Sequence, residues 1–317
     1  MNPLLPPALT WSEYETLFKD SSFGLEAARA VLAREGLPAA PERVVAGTNL
    51  VFRAGDDRWL KIYAPLEAGA RATESAMLDA AAGRLGIATP EIVSRGEIDG
   101  WDYLLLTHID GVPFDKARAS MSDRDRVAIA EELGAALRHL HGIDVAGIAP
   151  ASDWASFLEE RITGAPTRAR AHGADERWEG LVAGWIDRHA PELRSMNTLV
   201  PLHADLHFDH LLVVERAGSW RVAGVIDFAD ARYGAAEYEL VNPILWLFRG
   251  ERDAIAAMLS AYGDPPLDRE RAGRLIAWTL VHEFFRFGYW FRDELADASV
   301  RSIDDVVARV LPVMAQS

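Results

Sequence analysis

One stretch constrains the fold of this chain more than any other: PLHADLHFDHLLVVERAGSWRVAGVIDFAD, residues 201–230. Its pattern is loop, strand, turn, strand, loop, which predicts a β-hairpin. The surrounding sequence is patterned as helix. DRDRVAIAEELGAALRHLHGI is a long amphipathic helix, residues 153–190 read as two more, and 244–316 as several. A fold for this chain must therefore seat one hairpin inside a helical half. A hairpin returns its two ends to one edge. Asp205, before the first strand, and Asp227, after the second, thus converge although 22 residues separate them.

The first part of the chain has a different texture. Residues 11–36 read as helical, with apolar positions at helical spacing in GLEAARAVLAREGL and Gly36 as a stop. ERVVAGTNLVFRAGDDRWLKIYA gives short β-type runs broken at Gly47-Thr48-Asn49 and at Gly55-Asp56-Asp57. Residues 67–85 return to helix, and PEIVSRGEIDGWDYLLLTHIDG adds two strands around an Asp99-Gly100 turn. The expected class is α+β with two lobes. Residues 1–108 form a small antiparallel sheet of about five strands with one inserted helix and a helical N-terminal extension. Residues 109–317 form a larger, mainly helical lobe that carries the hairpin. A length of 317 residues suits two such lobes.

Charge and cysteine usage narrow the partners. The formal net charge is −15. Nucleic acid is not expected as a partner, because backbone binding needs a basic surface. An acidic surface serves solubility and steers cationic small molecules. The chain has no cysteine, which excludes disulfides and thiolate chemistry. No apolar run reaches the roughly 20 residues of a membrane span. MNPLLPPALTWSEYETLFKD has neither a basic n-region nor an apolar h-region, so no signal peptide is expected. The expectation is a cytoplasmic protein without a membrane partner.

The hairpin's leading loop crowds His203, Asp205, His207, Asp209 and His210 into eight positions. Two chemistries cluster such residues. Metal-dependent hydrolases do so because imidazole and carboxylate suit divalent transition metals. The segment is one residue away from the His-x-His-x-Asp-His box of metallo-β-lactamase-like hydrolases. That fold needs two more well-separated histidines downstream, however, and after His210 this chain has only His282.

Phosphoryl transfer needs a lysine on the donor phosphates, acidic groups for Mg²⁺, and a carboxylate that orients the attacking hydroxyl. The chain has three lysines, and only Lys61 lies in an apolar β-type run, RWLKIYA. Alternation puts Lys61 on the face opposite Leu60 and Ile62. An edge-strand lysine that blocks aggregation is the plainer reading. Glu74, on the following helix, is the partner expected for its ammonium. The turn AGTNLVF, residues 46–52 with Thr48 and Asn49, can offer backbone N–H groups to a phosphate, although a plain hairpin turn explains it as well. Asp205 is the candidate orienter or base, and Asp227 the candidate Mg²⁺ ligand.

These residues together resemble the aminoglycoside phosphotransferase family, which has a protein-kinase-like fold. LHADLHFDHLLV followed by VIDFADARYGAAEYEL is similar to the family pattern His-Gly-Asp-Leu-His-x-x-Asn-Ile-Leu-Val, then Ile-Asp-Trp/Phe, then Gly-Asp-Pro-x-Tyr-Asp-Leu. The likeness extends from Lys61 and Glu74 through LLLTHIDGVPF to both hairpin ends, and YELVNPILWLFRGERDAIAAML looks most like hygromycin B phosphotransferases. The resemblance implies ATP or GTP as co-substrate and Mg²⁺ as cofactor. It implies Asp205 as the catalytic aspartate, Asp227 as the main metal ligand, and Lys61, paired with Glu74, on the α- and β-phosphates. It implies a hinge at residues 106–109, with Thr107 and Ile109 near the base, and His203 as a brace of the catalytic loop.

Three departures from the pattern stand out. His210 replaces the asparagine that binds a second Mg²⁺, and imidazole is a poor Mg²⁺ ligand. Macrolide phosphotransferases resemble this chain in that histidine. Ala204 replaces a glycine, and Ala235 and Ala236 replace the Asp-Pro of Gly-Asp-Pro. For a cationic acceptor the candidate contacts are Asp230, Glu237, Glu239 and Glu283, each also readable as a solvated or capping acid. The functional expectation is an alcohol phosphotransferase acting on an aminoglycoside-type antibiotic such as hygromycin B, as a monomer or homodimer. The alternatives are a macrolide or small-metabolite kinase of the same fold, or a nucleotide-binding protein without transfer activity.

Overall fold

The structure, a computed structural model, describes residues 3–38, 40–66, 69–145, 148 and 152–311. Five strands form the first sheet: β1 (Glu42–Val44), β2 (Leu50–Arg53), β3 (Arg58–Ile62), β4 (Ile92–Ile98) and β5 (Trp101–Thr107). They are antiparallel in the order β1-β2-β3-β5-β4. The Asp99-Gly100 turn has φ of 53° and 83°, the left-handed pair that a tight hairpin between β4 and β5 needs. Gly55 likewise supplies a positive φ, 72°, between β2 and β3.

Alternation along the strands gives the sheet two faces. Leu50, Phe52, Leu60, Ile62, Tyr103 and Leu105 join a core with Ala27, Ala28, Val31 and Leu32 of the helix Leu25–Arg34. The span expected as one helical region, 11–36, is two helices, Trp11–Phe18 and Leu25–Arg34, separated by Gly24 at φ 79°. The opposite face contributes Leu104 and Leu106 to the larger core, together with Met77 and Leu78 of the inserted helix Ala70–Ala81. That helix is shorter than the expected 67–85, and residues 67–68 lie outside the described residues.

Among the described residues, the second lobe is built on five helices of eleven or more residues: Asp123–His141, Ser152–Ala171, Glu176–Ser195, Arg252–Tyr262 and Arg269–Val281. Ser122 opens the first with a capping box to Asp125. The final residues expected to continue as helix, 312–316, lie outside the described residues. The segment 282–291 is not one continuous helix. His282 leaves helical geometry (φ −62°, ψ 139°), and only Phe287–Trp290 turns again.

The hairpin expected inside this lobe is β8 (Leu211–Arg216) with β9 (Ser219–Val225), and β6 (Val112–Pro113) adds a third strand. The sequence pattern predicts loop at both ends of 201–230. The structure instead makes β7 (Leu199–Leu202) and β10 (Arg232–Ala235) an antiparallel pair, with Leu202 opposite Arg232. This ladder clamps the chain outside the hairpin, so residues 203–210 and 226–231 are pinned at both ends and face one another. No helix among the described residues is long and apolar enough to cross a membrane.

Candidate active site

A cleft of about 1120 Å³ runs between the sheet and the helical part, lined by Thr48, Asn49, Lys61, Glu74, Thr107 and Ile109 on one side and Asp205, His210 and Asp227 on the other. Lys61 lies on β3, which is an inner strand, so the edge-strand explanation does not apply. Its neighbours across the sheet are Val51 and Leu104. The ammonium is 2.7 Å from Glu74 Oε2 and 2.7 Å from Asp227 Oδ1. Tyr63 Oη donates to the same Glu74 oxygen at 2.5 Å, a partner that sequence reading missed. Burial opposes the charge on Lys61, but Asp227 and Glu74 outweigh it and raise its pKa. Burial likewise opposes the charge on Asp227, and Lys61, then His210, outweigh it and hold the carboxyl far below the usual range. Both therefore carry charge at neutral pH. The Lys61–Asp227 contact spans 166 residues of sequence.

Residues 203–210 form a short loop held from several sides. His203 Nε2 donates to the Ile226 carbonyl at 2.9 Å, and its Nδ1 accepts the Asp205 amide at 3.3 Å. One imidazole thus ties both hairpin ends together. Burial lowers the His203 pKa to about 4, so the ring is neutral and its tautomer is fixed. His210 Nδ1 donates to the Asp205 carbonyl at 2.7 Å. Ala204 and Asp227 both sit at φ 68°, a left-handed conformation that costs a non-glycine residue about 1–2 kcal/mol. Such strain persists only where the surroundings over-determine it, and it clusters at functional sites.

The four acids expected at the acceptor separate into different roles. Asp230 and Glu283 line the cleft. Burial, then Asp205, Asp227 and Glu283, push the Asp230 carboxyl up to about 7. Glu283 is paired with Arg232 at 2.6 Å, and the Arg232 guanidinium stacks 4.4 Å from the Phe157 ring centre. Glu237 and Glu239 correct the expectation. Glu237 is held by Arg271 at 3.1 Å and Arg274 at 2.7 Å, away from the cleft lining. Glu239 points inward, 1% exposed, and its Oε2 accepts the amides of His203 at 2.5 Å and Ala204 at 3.1 Å. It supports the loop from beneath. Burial pushes its carboxyl up to about 7, against the pull of those two amides.

On the sheet side, Tyr14 Oη donates to the Thr48 carbonyl at 2.5 Å, and Asn49 is buried. The Thr107 amide donates to the Glu91 carbonyl at 2.9 Å and its hydroxyl accepts the Glu91 amide at 2.8 Å, which leaves Ile109 further along in the cleft wall. Sequence reading did not find Asp153, Trp154, Phe157 or Arg232 in this wall. The helix Ser152–Ala171 reads as plain amphipathic helix, and only packing shows which turn faces the cleft. Where the family pattern has an acid after Gly234, Ala235 is the N-cap of the helix Ala236–Asn242 and makes no side-chain cap bond.

The sequence profile of the phosphotransferase enzyme family matches residues 43–275. Among solved structures, aminoglycoside 2′-phosphotransferase-IIIa in complex with GDP is similar at 16% identity, over 89% of this chain and 96% of that one, with a TM-score of 0.65. APH(3″)-Id of Streptomyces rimosus, in complex with ADP and streptomycin, is 19% identical over 82% of this chain and 98% of that one, TM-score 0.58. A thermostable mutant of APH(4)-Ia is 16% identical over 89% and 98%, TM-score 0.57. At these identities the likeness is one of fold, the kinase-like arrangement of a sheet lobe on a helical lobe.

Proposed function

The chain belongs to the phosphotransferase enzyme family, and from that premise we propose that it moves the γ-phosphate of ATP or GTP to a hydroxyl of a small, cationic acceptor. The acceptor class proposed is the aminoglycoside-type antibiotics, hygromycin B among them. One observation carries the reading: Lys61 Nζ meets Glu74 and Asp227 at 2.7 Å each, which joins the sheet to the far end of the hairpin. Similar proteins hold GDP with kanamycin, and ADP with streptomycin. The cleft, about 1120 Å³, exceeds the roughly 300–1,000 Å³ of single-ligand pockets and suits a nucleotide beside an acceptor.

In this reading Lys61 engages the donor phosphates, and Glu74, with Tyr63 behind it, fixes the ammonium. Residues 46–49 cover the phosphates, and Thr107 and Ile109 flank the base. Asp205 accepts the hydrogen bond of the acceptor hydroxyl, orients it in line, and takes its proton as the new P–O bond forms and the bond from the γ-phosphorus to the departing nucleoside diphosphate breaks. Asp227 has the oxygen donors that Mg²⁺ requires, and when bound that ion neutralises charge on the phosphates. His210 does not suit Mg²⁺ in the same way. Asp230 meets an acceptor ammonium, and Trp154 and Phe157 offer flat apolar walls.

The test is nucleotide turnover with ATP and with GTP across hygromycin B, other aminoglycosides, macrolides and choline-like alcohols. The expected result is stimulation by at least one aminoglycoside. Stimulation by a macrolide or a simple alcohol alone would move the acceptor class. Nucleotide binding with no stimulation by any acceptor would make the chain a binding protein instead.

A further inference from the structure

The catalytic loop holds more metal-binding donors than the nucleotide chemistry uses. Ligand atoms of Asp205, His207 and His210 lie within 4.8 Å of one another. His207 Nε2 is 3.6 Å from Asp205 Oδ2, and His210 Nε2 is 3.6 Å from Asp227 Oδ2. These spacings are too long for hydrogen bonds. Two ligands on one tetrahedral ion, each about 2.0–2.2 Å from the metal, stand about 3.4 Å apart. The His207–Asp205 pair is therefore spaced for an ion between its atoms, and His210 completes the cluster of three. Asp227 reaches Lys61 through Oδ1, so Oδ2 is the oxygen turned to His210.

The outer atoms agree. A metal-bound imidazole ordinarily donates its second N–H to a carbonyl or carboxylate. His210 Nδ1 already donates to the Asp205 carbonyl at 2.7 Å, which leaves the Nε2 lone pair for a ligand. His207 Nδ1 lies 3.8 Å from Asp209 Oδ2 and 3.2 Å from the Asp209 amide. In this state it accepts the amide, and its proton sits on Nε2. Metal binding at Nε2 moves the proton to Nδ1, where the Asp209 carboxylate is the acceptor. Two imidazoles and one carboxylate, three protein ligands with an open position, are a donor set for zinc-class ions rather than for Mg²⁺.

We propose that Asp205, His207 and His210 form a site for a divalent transition ion of the zinc or cobalt(II) class in the nucleotide-free protein, with water completing its coordination. The ion occupies Asp205, the carboxylate that would orient the acceptor hydroxyl, so it blocks turnover. That inhibitory consequence rests on the phosphotransfer reading, whereas the binding itself does not.

The experiment is titration of the nucleotide-free full chain with Co²⁺, followed by its visible absorption bands, and with Zn²⁺, followed by calorimetry. The expected result is one saturable equivalent, weakened at least about tenfold in His207→Ala and again in His210→Ala, with circular dichroism unchanged. The other histidines remain in both variants and serve as the control for surface binding. Should His207→Ala lose its fold, His207→Gln is titrated in its place. No saturable binding up to millimolar metal, or equal affinity in wild type and both variants, overturns the site. Binding that leaves turnover untouched supports the site and overturns the role of Asp205, so the two readings fail separately.

Discussion

Removing the Glu239 carboxylate tests how the loop 203–210 is held. In Glu239→Ala the buried amides of His203 and Ala204 lose their acceptor. Each orphaned buried amide costs about 1–3 kcal/mol, so the variant loses about 2–6 kcal/mol. Unfolding entropy of about 2.1 cal/mol/K per residue over 317 residues turns that into a midpoint lower by about 3–9 °C. The loss has a pH signature. The Glu239 carboxyl is raised to about 7 in the folded chain from 4.5. A raised acid contributes stability that is full below pH 4.5 and lost as pH rises through 7. The gap between wild type and variant is therefore larger at pH 5 than at pH 8, by up to about 3 kcal/mol. Thermal unfolding at both pH values reads this directly, and turnover falls because Asp205 follows Ala204. A midpoint within about 1 °C of wild type at both pH values would refute the argument. So would a gap that widens with pH.

The other predictions concern the cleft. Asp205→Ala is expected to lower acceptor-dependent turnover on the order of 10²-fold or more while nucleotide affinity, by calorimetry, stays within about twofold. Lys61→Ala leaves buried Glu74 without its counter-ion and is expected to destabilise the chain by about 3 kcal/mol, at the low end for a broken buried pair because Asp227 is 34% exposed. Denaturant unfolding checks it. For a cationic acceptor, KM is expected to fall as pH rises through about 7, as Asp230 ionises. Asp230→Asn is expected to raise KM about tenfold and flatten that profile, and a KM profile unchanged in the variant would remove Asp230 from the acceptor site. His210→Asn is expected to shift metal-dependent turnover from Mn²⁺ toward Mg²⁺, measured with each ion at saturating nucleotide.

Much of this geometry is legible in the chain before folding. The Asp99-Gly100 turn, the alternation that turns Lys61 away from Leu60 and Ile62, and the lone hairpin in a helical half are local signals with a fixed period. They place β3, β5, β8 and β9 correctly. The pairing of β7 with β10 is not local. LVPL and RYGA are four-residue runs with no alternation and no short turn joining them directly, and only the intervening hairpin brings them into register. The acceptor-side acids show the same limit. Asp230, Glu237, Glu239 and Glu283 are equivalent on composition. Their roles diverge only through partners distant in sequence: Arg271 and Arg274 for Glu237, the His203 and Ala204 amides for Glu239, Arg232 for Glu283.

That divergence bears on what the cleft selects. Arg232 already compensates Glu283, and Lys61 compensates Glu74 and Asp227. Within the cleft lining, Asp230 is pushed up to about 7 by burial and by Asp205, Asp227 and Glu283. A protein with a formal charge of −15 is attractive to any cation in solution. Discrimination inside the cleft must come from a group whose ionisation the ligand itself favours. An ammonium that reaches Asp230 stabilises its charged form, and a neutral alcohol does not. On the proposed reading, the raised Asp230 converts a general attraction for cations into a local preference for acceptors that carry an amine near the hydroxyl presented to Asp205.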